Sequence, residues 1–77
     1  SVYPNPAGEL INIKFKEDDF INSTITVLDN LGNVRMRMEN GSGNVMLNVS
    51  SLPVGAYYIR ISRGTKFYTM PFVKFND

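Results

Sequence analysis

The sequence alternates apolar and polar residues with a period of two over most of its length. Ile11 and Ile13, for example, flank Asn12. This spacing puts the apolar side chains on one face of an extended strand, whereas an amphipathic helix needs a period of 3.6 residues. The chain is therefore constrained to short strands that each bury one face. The residues predicted to face the core are Ile11, Ile13, Phe15, Ile25, Val27, Val34, Met36, Met38, Val45, Leu47, Val49, Tyr57, Ile59 and Ile61.

Segments typical of tight turns separate these strands. Asp29-Asn30-Leu31-Gly32 has Asp at the first turn position, where its side chain can accept a bond from the backbone ahead, and Gly at the fourth, where positive φ costs little. Asn40-Gly41-Ser42-Gly43, Leu52-Pro53-Val54-Gly55 and Arg63-Gly64-Thr65-Lys66 end three further strands. Connections this short predict strands that run antiparallel to their neighbours.

The last apolar segment, Phe67 to Phe75, differs from the others because it contains Pro71. Proline cannot donate a ladder hydrogen bond and is normally found in edge strands, at strand starts or in bulges. We expect two short strands here, or one broken edge strand.

The whole pattern predicts an all-β fold in one domain. The chain has 77 residues, of which 43% are hydrophobic, and a chain of this size hides only about 60% of its surface on folding. Six or seven short strands at a spacing of about 8–12 residues form a small antiparallel β-sandwich. We expect residues 1–77 to be a single domain cut from a longer protein.

Histidine and cysteine do not occur in the chain. It therefore has no imidazole base, no thiolate nucleophile, no disulfide and none of the usual zinc ligands. Glu17-Asp18-Asp19 is an acidic cluster, but it lacks the Gly that a curved calcium loop requires, and a solvated loop is expected. We expect no catalytic residues, no bound metal and no cofactor.

The charge is close to balance, with eight Lys and Arg against seven Asp and Glu and a net charge of +1. The basic residues are scattered, so no nucleic-acid surface and no anionic-membrane surface is indicated. Arg35, Arg37, Arg60 and Arg63 are expected on outer, solvated strand faces. No apolar run approaches the roughly 18 residues of a membrane span, and direct membrane insertion is not expected.

The aromatic residues leave one alternative open. A flat pair of rings could stack on a sugar, as in carbohydrate-binding sandwiches, and the alternation turns Tyr58 and Tyr68 outward. The other aromatic side chains are expected to fill the core, because a domain this small needs bulky groups. An accessory carbohydrate-binding module of a secreted hydrolase is thus a competing hypothesis.

The order of the turn segments along the chain, rather than any reactive group, is the feature that points to a particular family. Tyr3-Pro4-Asn5-Pro6 opens the chain, Asp29-Asn30-Leu31-Gly32 follows, and Ser50 to Tyr58 reads S-S-L-P-V-G-A-Y-Y before Val73-Lys74. This series, over essentially all 77 residues, resembles the C-terminal sorting domain of the type IX (Por) secretion system of Bacteroidetes. The resemblance implies an immunoglobulin-like sandwich.

Structural reasons can be given for the residues that carry the resemblance. Two prolines stiffen the start of the domain, and the glycines supply backbone freedom where a strand reverses. A Tyr two residues past the second turn glycine would place its ring in the core and its hydroxyl near a backbone carbonyl at the rim. The residues assigned this structural role are Tyr3, Pro4, Asn5, Pro6, Asp29, Gly32, Leu52, Pro53, Gly55 and Tyr57.

The resemblance further implies a non-catalytic export signal that is recognised by the outer-membrane translocon. Its route would lead through the periplasm to the cell surface or the extracellular space, and a sortase-like surface protease often removes such a domain. Recognition would use an exposed C-terminal edge, with Phe72 and Val73 offered to the partner and Pro71 and Lys74 discouraging random pairing. The residues expected to meet the translocon are Met70, Pro71, Phe72, Val73, Lys74 and Phe75.

The chain departs from the family pattern where Met70-Pro71 replace the usual lysines and Phe75-Asn76-Asp77 follow Lys74. That departure leaves open an uncleaved domain that stays within the surface machinery. The cargo and the oligomeric state cannot be derived from these residues.

Overall fold

The structure is a computed structural model that describes residues 2–3, 9–14, 22–40 and 44–75. Within those residues the chain forms strands and turns and no helix. The all-β prediction is confirmed. The strands are β1 (Val2–Tyr3), β2 (Leu10–Lys14), β3 (Ser23–Asp29), β4 (Val34–Asn40), β5 (Asn44–Asn48), β6 (Gly55–Arg63) and β7 (Lys66–Lys74).

The strands form two antiparallel sheets. One has the order β1-β2-β5 and the other the order β4-β3-β6-β7. In the larger sheet, β3 and β4 form one hairpin, β6 and β7 form another, and β3 joins the two hairpins by pairing with β6. The two central strands of this sheet therefore come from different hairpins.

The inner faces of both sheets contribute to one core, as expected for a β-sandwich. Partners across the sheet, such as Val27 and Ile59, are both fully buried. This packing confirms the inward orientation that the alternation predicted for β2, β3, β5 and β6. The core residues are Ile11, Ile13, Ile25, Val27, Val45, Leu47, Val49, Leu52, Tyr57, Ile59, Ile61 and Phe72.

Strand β4 buries less than its alternation indicated. Met36 is partly buried against the core, whereas Val34 is 52% exposed and Met38 is 38% exposed. For Met38, which pairs with the buried Ile25, the physical reason is position, because β4 is an edge strand and only β3 flanks it. Val34 pairs with Leu28 beyond a register shift and therefore lies on the outer face. The shift falls directly before Leu28, and an irregularity of this kind increases the local twist.

The turn between β3 and β4 has the predicted hydrogen bonds. The Gly32 N–H donates to the Asp29 carbonyl over 3.0 Å, and Gly32 has a φ of 86°. Asp29 Oδ1 accepts the N–H groups of Leu31 and Asn33, each over 2.9 Å. The side chain of Asp29 therefore replaces a backbone acceptor inside the turn.

The hairpin of β6 and β7 corrects the prediction for the last segment. Its loop is Gly64-Thr65, with Gly64 at a φ of 60°, and the pairing runs without a shift from Arg63 opposite Lys66 to Gly55 opposite Lys74. Pro71 lies opposite Tyr58 and does not break the strand. The prediction of two short strands or one broken edge strand is corrected to one continuous strand of nine residues, and its position at the sheet edge agrees with the second alternative.

Several predicted features lie outside the described residues. These are Pro4, Asn5, Pro6, Phe15, the acidic cluster at 17–19 and the turn at 41–43. Tyr3 is described as part of β1, where it pairs with Asn12 of β2. In the described ranges, no helix has the length and apolar character needed to cross a membrane.

Candidate recognition site at the C-terminal strand

The residues predicted to meet the translocon lie along β7 and just beyond it. Because side chains alternate along a strand, they divide between the two faces of the sheet. Met70, Phe72 and Lys74 point toward the core side, and Pro71 and Val73 point to the outer face. The six predicted residues therefore do not form one continuous surface.

Phe72 is a core residue and is not available to a partner. It is 1% exposed, and its ring stacks on that of Tyr57 with the centroids 5.3 Å apart and an angle of 19° between the planes. The two residues are also direct partners across β6 and β7. The prediction that Phe72 is offered to a partner is wrong, because the period of two assigns it to the inner face.

Lys74 is also placed differently from the prediction. It is only 4% exposed, on the same side of the strand as Phe72, and lies opposite Gly55. Its Nζ donates to the carbonyl oxygen of Phe75 over 3.3 Å. A buried ammonium needs such acceptors. Lys74 therefore lies buried on the inner face and is not an exposed charge that discourages pairing at the edge.

Pro71 indicates which backbone amides of β7 face the open side. In an antiparallel strand, the N–H groups point alternately toward the two neighbouring strands. Pro71 has no N–H, yet the pairing with β6 is uninterrupted at this residue. Its position is thus one that needs no donor toward β6. By the same alternation, the amides of Phe67 and Thr69 point away from β6.

The outer face beside β7 has a basic half and an apolar half. Near the start of β7, the Arg60 guanidinium lies 5.8 Å from the centroid of the Phe67 ring, at cation–π distance. Near its end, Tyr58, Pro71 and Val73 are all exposed. Between Lys66 and Lys74 the strand carries no charged residue.

The structure does not bring the two candidate sugar-stacking residues together. Tyr58 lies between the buried Tyr57 and Ile59 and therefore faces outward. Tyr68 pairs with the buried Ile61, so it lies on the inner side of the sheet, although it is 61% exposed near the end of the hairpin. Tyr68 is thus exposed, as predicted, but on the inner side of the sheet and not on the outer face with Tyr58.

Phe67 also differs from its prediction. The sequence predicts that its side chain fills the core, but it lies on the outer face and is 63% exposed. The signal that places it is the two-residue loop, which pairs Phe67 with Ser62. Ser62 alternates with the buried Ile61 and so faces outward together with its partner.

The turn before β6 has the arrangement predicted for the family residues. Leu52 is buried and its N–H donates to the carbonyl of Val49 over 3.0 Å. The Tyr57 hydroxyl donates to the Pro53 carbonyl over 2.5 Å, while its ring stays in the core. A bond of this type contributes about 1 kcal/mol. Gly55, at a φ of 155°, connects this turn to β6.

The electrostatics of the described residues are mild. Asp29 has a lowered pKa, first because its carboxylate accepts the Asn33 N–H and further because of Leu31, the Asn33 side chain and Arg35, with burial acting in the opposite direction. The Arg35 guanidinium is 3.9 Å from Asp29. No cluster of three or more potential metal ligands occurs among the residues described.

Comparison with known families gives the context for this strand. The profile of the family described as secretion system C-terminal sorting domain matches residues 1–74. The chain belongs to this family of type IX secretion sorting domains. No curated protein matches the sequence.

A solved structure has the same fold as this sorting domain. It is PorZ, described as an essential bacterial surface component of the type IX secretion system of Porphyromonas gingivalis. The match has a TM-score of 0.82 at 17% identity. It covers 99% of the sorting domain but 11% of the PorZ chain, so the sorting domain corresponds to a small part of that protein.

Proposed function

We propose that residues 1–77 are the sorting domain of a longer exported protein and that the type IX translocon recognises them through β7. The observation that carries the proposal is the position of β7 as an edge strand. Edge strands offer backbone groups to an incoming strand, and side chains beside the edge select the partner. Phe67 and Thr69 supply amides, and Val73 supplies an exposed apolar side chain.

The inward residues of β7 would hold this edge in place rather than contact the partner. Phe72 is held by its stacking on Tyr57, and Lys74 is buried on the inner face. A rigid edge lowers the entropy lost on binding. Recognition then depends on Pro71 and Val73, the predicted residues that lie on the outer face, together with Phe67 and Thr69.

The proposed role is that of a recognised substrate, not of an enzyme. The domain passes with its cargo through the periplasm and across the outer membrane to the cell surface or the extracellular space. A sortase-like surface protease then removes it. The proposal involves neither nucleic acid nor insertion of the domain into a membrane.

A secretion assay with two matched valines tests the proposal. Residues 1–77 are fused to a periplasm-targeted fluorescent cargo in a host with a type IX system, and the secreted fraction is measured. Val73→Lys changes an exposed residue on β7, whereas Val34→Lys changes a similarly exposed residue on the opposite edge strand.

We expect cargo with the wild-type domain to be secreted and cargo without it to remain in the periplasm. Val73→Lys should lower secretion by about tenfold, because a long charged chain at the edge blocks strand pairing, and Val34→Lys should have little effect. Secretion that does not require residues 1–77 would disprove the export role. Equal effects of the two substitutions would disprove recognition through β7.

A second candidate is a domain that stays attached within the surface machinery. Its support is the fold shared with part of PorZ, a surface component of this secretion system. Mass spectrometry of the secreted fusion separates the two roles. Cargo that has lost residues 1–77 supports the shed signal, and cargo that keeps them supports the retained domain.

A further inference from the structure

The outer face beside the β7 edge holds a cation. Arg60 is exposed, and its guanidinium is kept close to β7 by the ring of Phe67 at 5.8 Å. Thr69 is its direct partner across the two strands. Stacking on an aromatic face leaves the planar N–H groups of an Arg available to a carboxylate. The cation is thus held near β7, the strand that borders the sheet on this side.

This cation has no carboxylate partner among the described residues. The Asp29 carboxylate lies 3.9 Å from the Arg35 guanidinium instead. Glu39, which lies on the same outer face as Arg60, is on the opposite edge strand, where both of its carboxylate oxygens accept the Thr24 hydroxyl at 3.1–3.2 Å. The positive charge beside β7 is therefore left for a group that comes from outside this sheet.

We propose that the strand pairing with β7 carries an acidic side chain that binds Arg60 beside Phe67, a proposal that rests on the proposed function. Side chains on adjacent strands lie about 4.5–5.5 Å apart on the same face. A carboxylate next to Phe67 or Thr69 therefore comes within reach of the guanidinium. Farther along, apolar side chains of the same partner strand would face Pro71 and Val73.

The charge pattern argues against a second copy of this chain as the partner. The segment Phe67–Val73 contains no acidic residue. Pairing of two β7 strands would bring the same uncharged segment against Arg60 and leave the cation without a carboxylate. Charge complementarity at this edge thus favours a different protein with an acidic, otherwise apolar strand.

A graded series at Arg60 tests the charge in the secretion assay described above. Arg60→Lys keeps the charge, Arg60→Gln removes it and Arg60→Glu reverses it. The matched control is Arg37→Glu, because Arg37 is exposed on the same face but lies on β4, separated from Arg60 by Thr26. Thermal unfolding of each purified domain verifies that the variants fold.

We expect Arg60→Lys to secrete nearly as well as the wild type, Arg60→Gln to lose about threefold and Arg60→Glu about tenfold or more, as for charge pairs at interfaces. Arg37→Glu should change secretion by less than about twofold. Full secretion of folded Arg60→Glu, or an equal loss with Arg37→Glu, would overturn the inference while the export role stands. Loss of export in the wild-type fusion would instead refute the proposed function. A stable dimer of the purified domain that buries β7 would identify a second copy as the occupant and also overturn it.

Discussion

At the scale of single residues, neighbours on β7 have opposite tasks. Phe72 is stacked in the core, while Val73, the next residue, is 48% exposed. The period of two explains this division, since consecutive strand residues point to opposite faces. A substitution in the first should affect folding, and a substitution in the second should affect recognition.

Phe72→Ala is predicted to destabilise the domain by about 3–5 kcal/mol, because it removes a buried ring and leaves a cavity. A domain of this size has a free energy of unfolding of about 4–12 kcal/mol. Urea unfolding followed by tyrosine fluorescence measures the loss. Val73→Ala is the control and should cost about 0.5 kcal/mol or less. Similar losses for both variants would contradict the inward position of Phe72.

Asp29 gives a prediction for pH. Its pKa is lower in the folded domain than in the unfolded chain, so the stability it contributes is complete above about pH 4 and is lost as the pH falls through the folded pKa. Asp29→Asn lacks this titration. Thermal unfolding of both proteins between neutral pH and about pH 2 should show the wild type losing its advantage only in the acidic range. A constant difference would contradict the assignment.

At the scale of elements, the hairpin of β6 and β7 sets what each residue of the edge does. The loop Gly64-Thr65 fixes the register of the two strands. Pro71 then identifies which amides of β7 point away from β6. A proline at a position whose N–H would point away from β6 removes no hydrogen bond to β6. A proline at a position whose N–H would point toward β6 removes one.

Paired proline substitutions test that assignment. Thr69→Pro is predicted to cost about 1 kcal/mol or less, and Met70→Pro about 3 kcal/mol, because only the latter deletes a ladder hydrogen bond. Urea unfolding measures both values. If Thr69→Pro lowers the free energy of unfolding more than Met70→Pro does, the assignment of the amides that point away from β6 is wrong.

The elements also indicate how far a sequence can predict such a fold. Strand faces and turns followed from local alternation, as for Ile59 in β6 or Gly32 in the β3–β4 turn. The exposure of Val34 and Met38 did not, because it depends on the register of β4 with β3 and on which strands lie at the edges of the sheet, and both are set by long-range pairing.

The candidate site was predicted only in part for a related reason. Locating it at the last strand needed the resemblance, but dividing it between faces needed the register. Counting outward from Gly64-Thr65 would have placed Phe67 beside Ser62 and Tyr68 beside Ile61. The stacking of Arg60 on Phe67 depends on side-chain conformations in three dimensions, which alternation alone does not specify.

At the scale of the whole molecule, the edge proposed for recognition is also part of the sandwich. β7 forms the border of the four-stranded sheet and contributes Phe72 to the single core. Removing the end of the strand thus changes the fold as well as the surface. A secretion defect after such a deletion has two explanations.

Deletion of residues 70–77 is predicted to abolish cooperative unfolding. It removes Phe72 and leaves one side of Tyr57 without its stacking partner. Near-UV circular dichroism of the tyrosines should collapse, and binding of a hydrophobic dye should rise. The intact domain carrying Val73→Lys is the control and should keep both native signals. A cooperative transition in the shortened domain would show that β7 is dispensable for folding.

The burial of Phe72 by the last strand has a consequence for protein synthesis. A polypeptide released from the ribosome before this residue has neither the finished core nor the paired edge. Such a fragment contains almost the entire domain but lacks the β7 edge that the translocon is proposed to recognise. The sorting domain would thereby limit export to cargo whose translation has passed through β7.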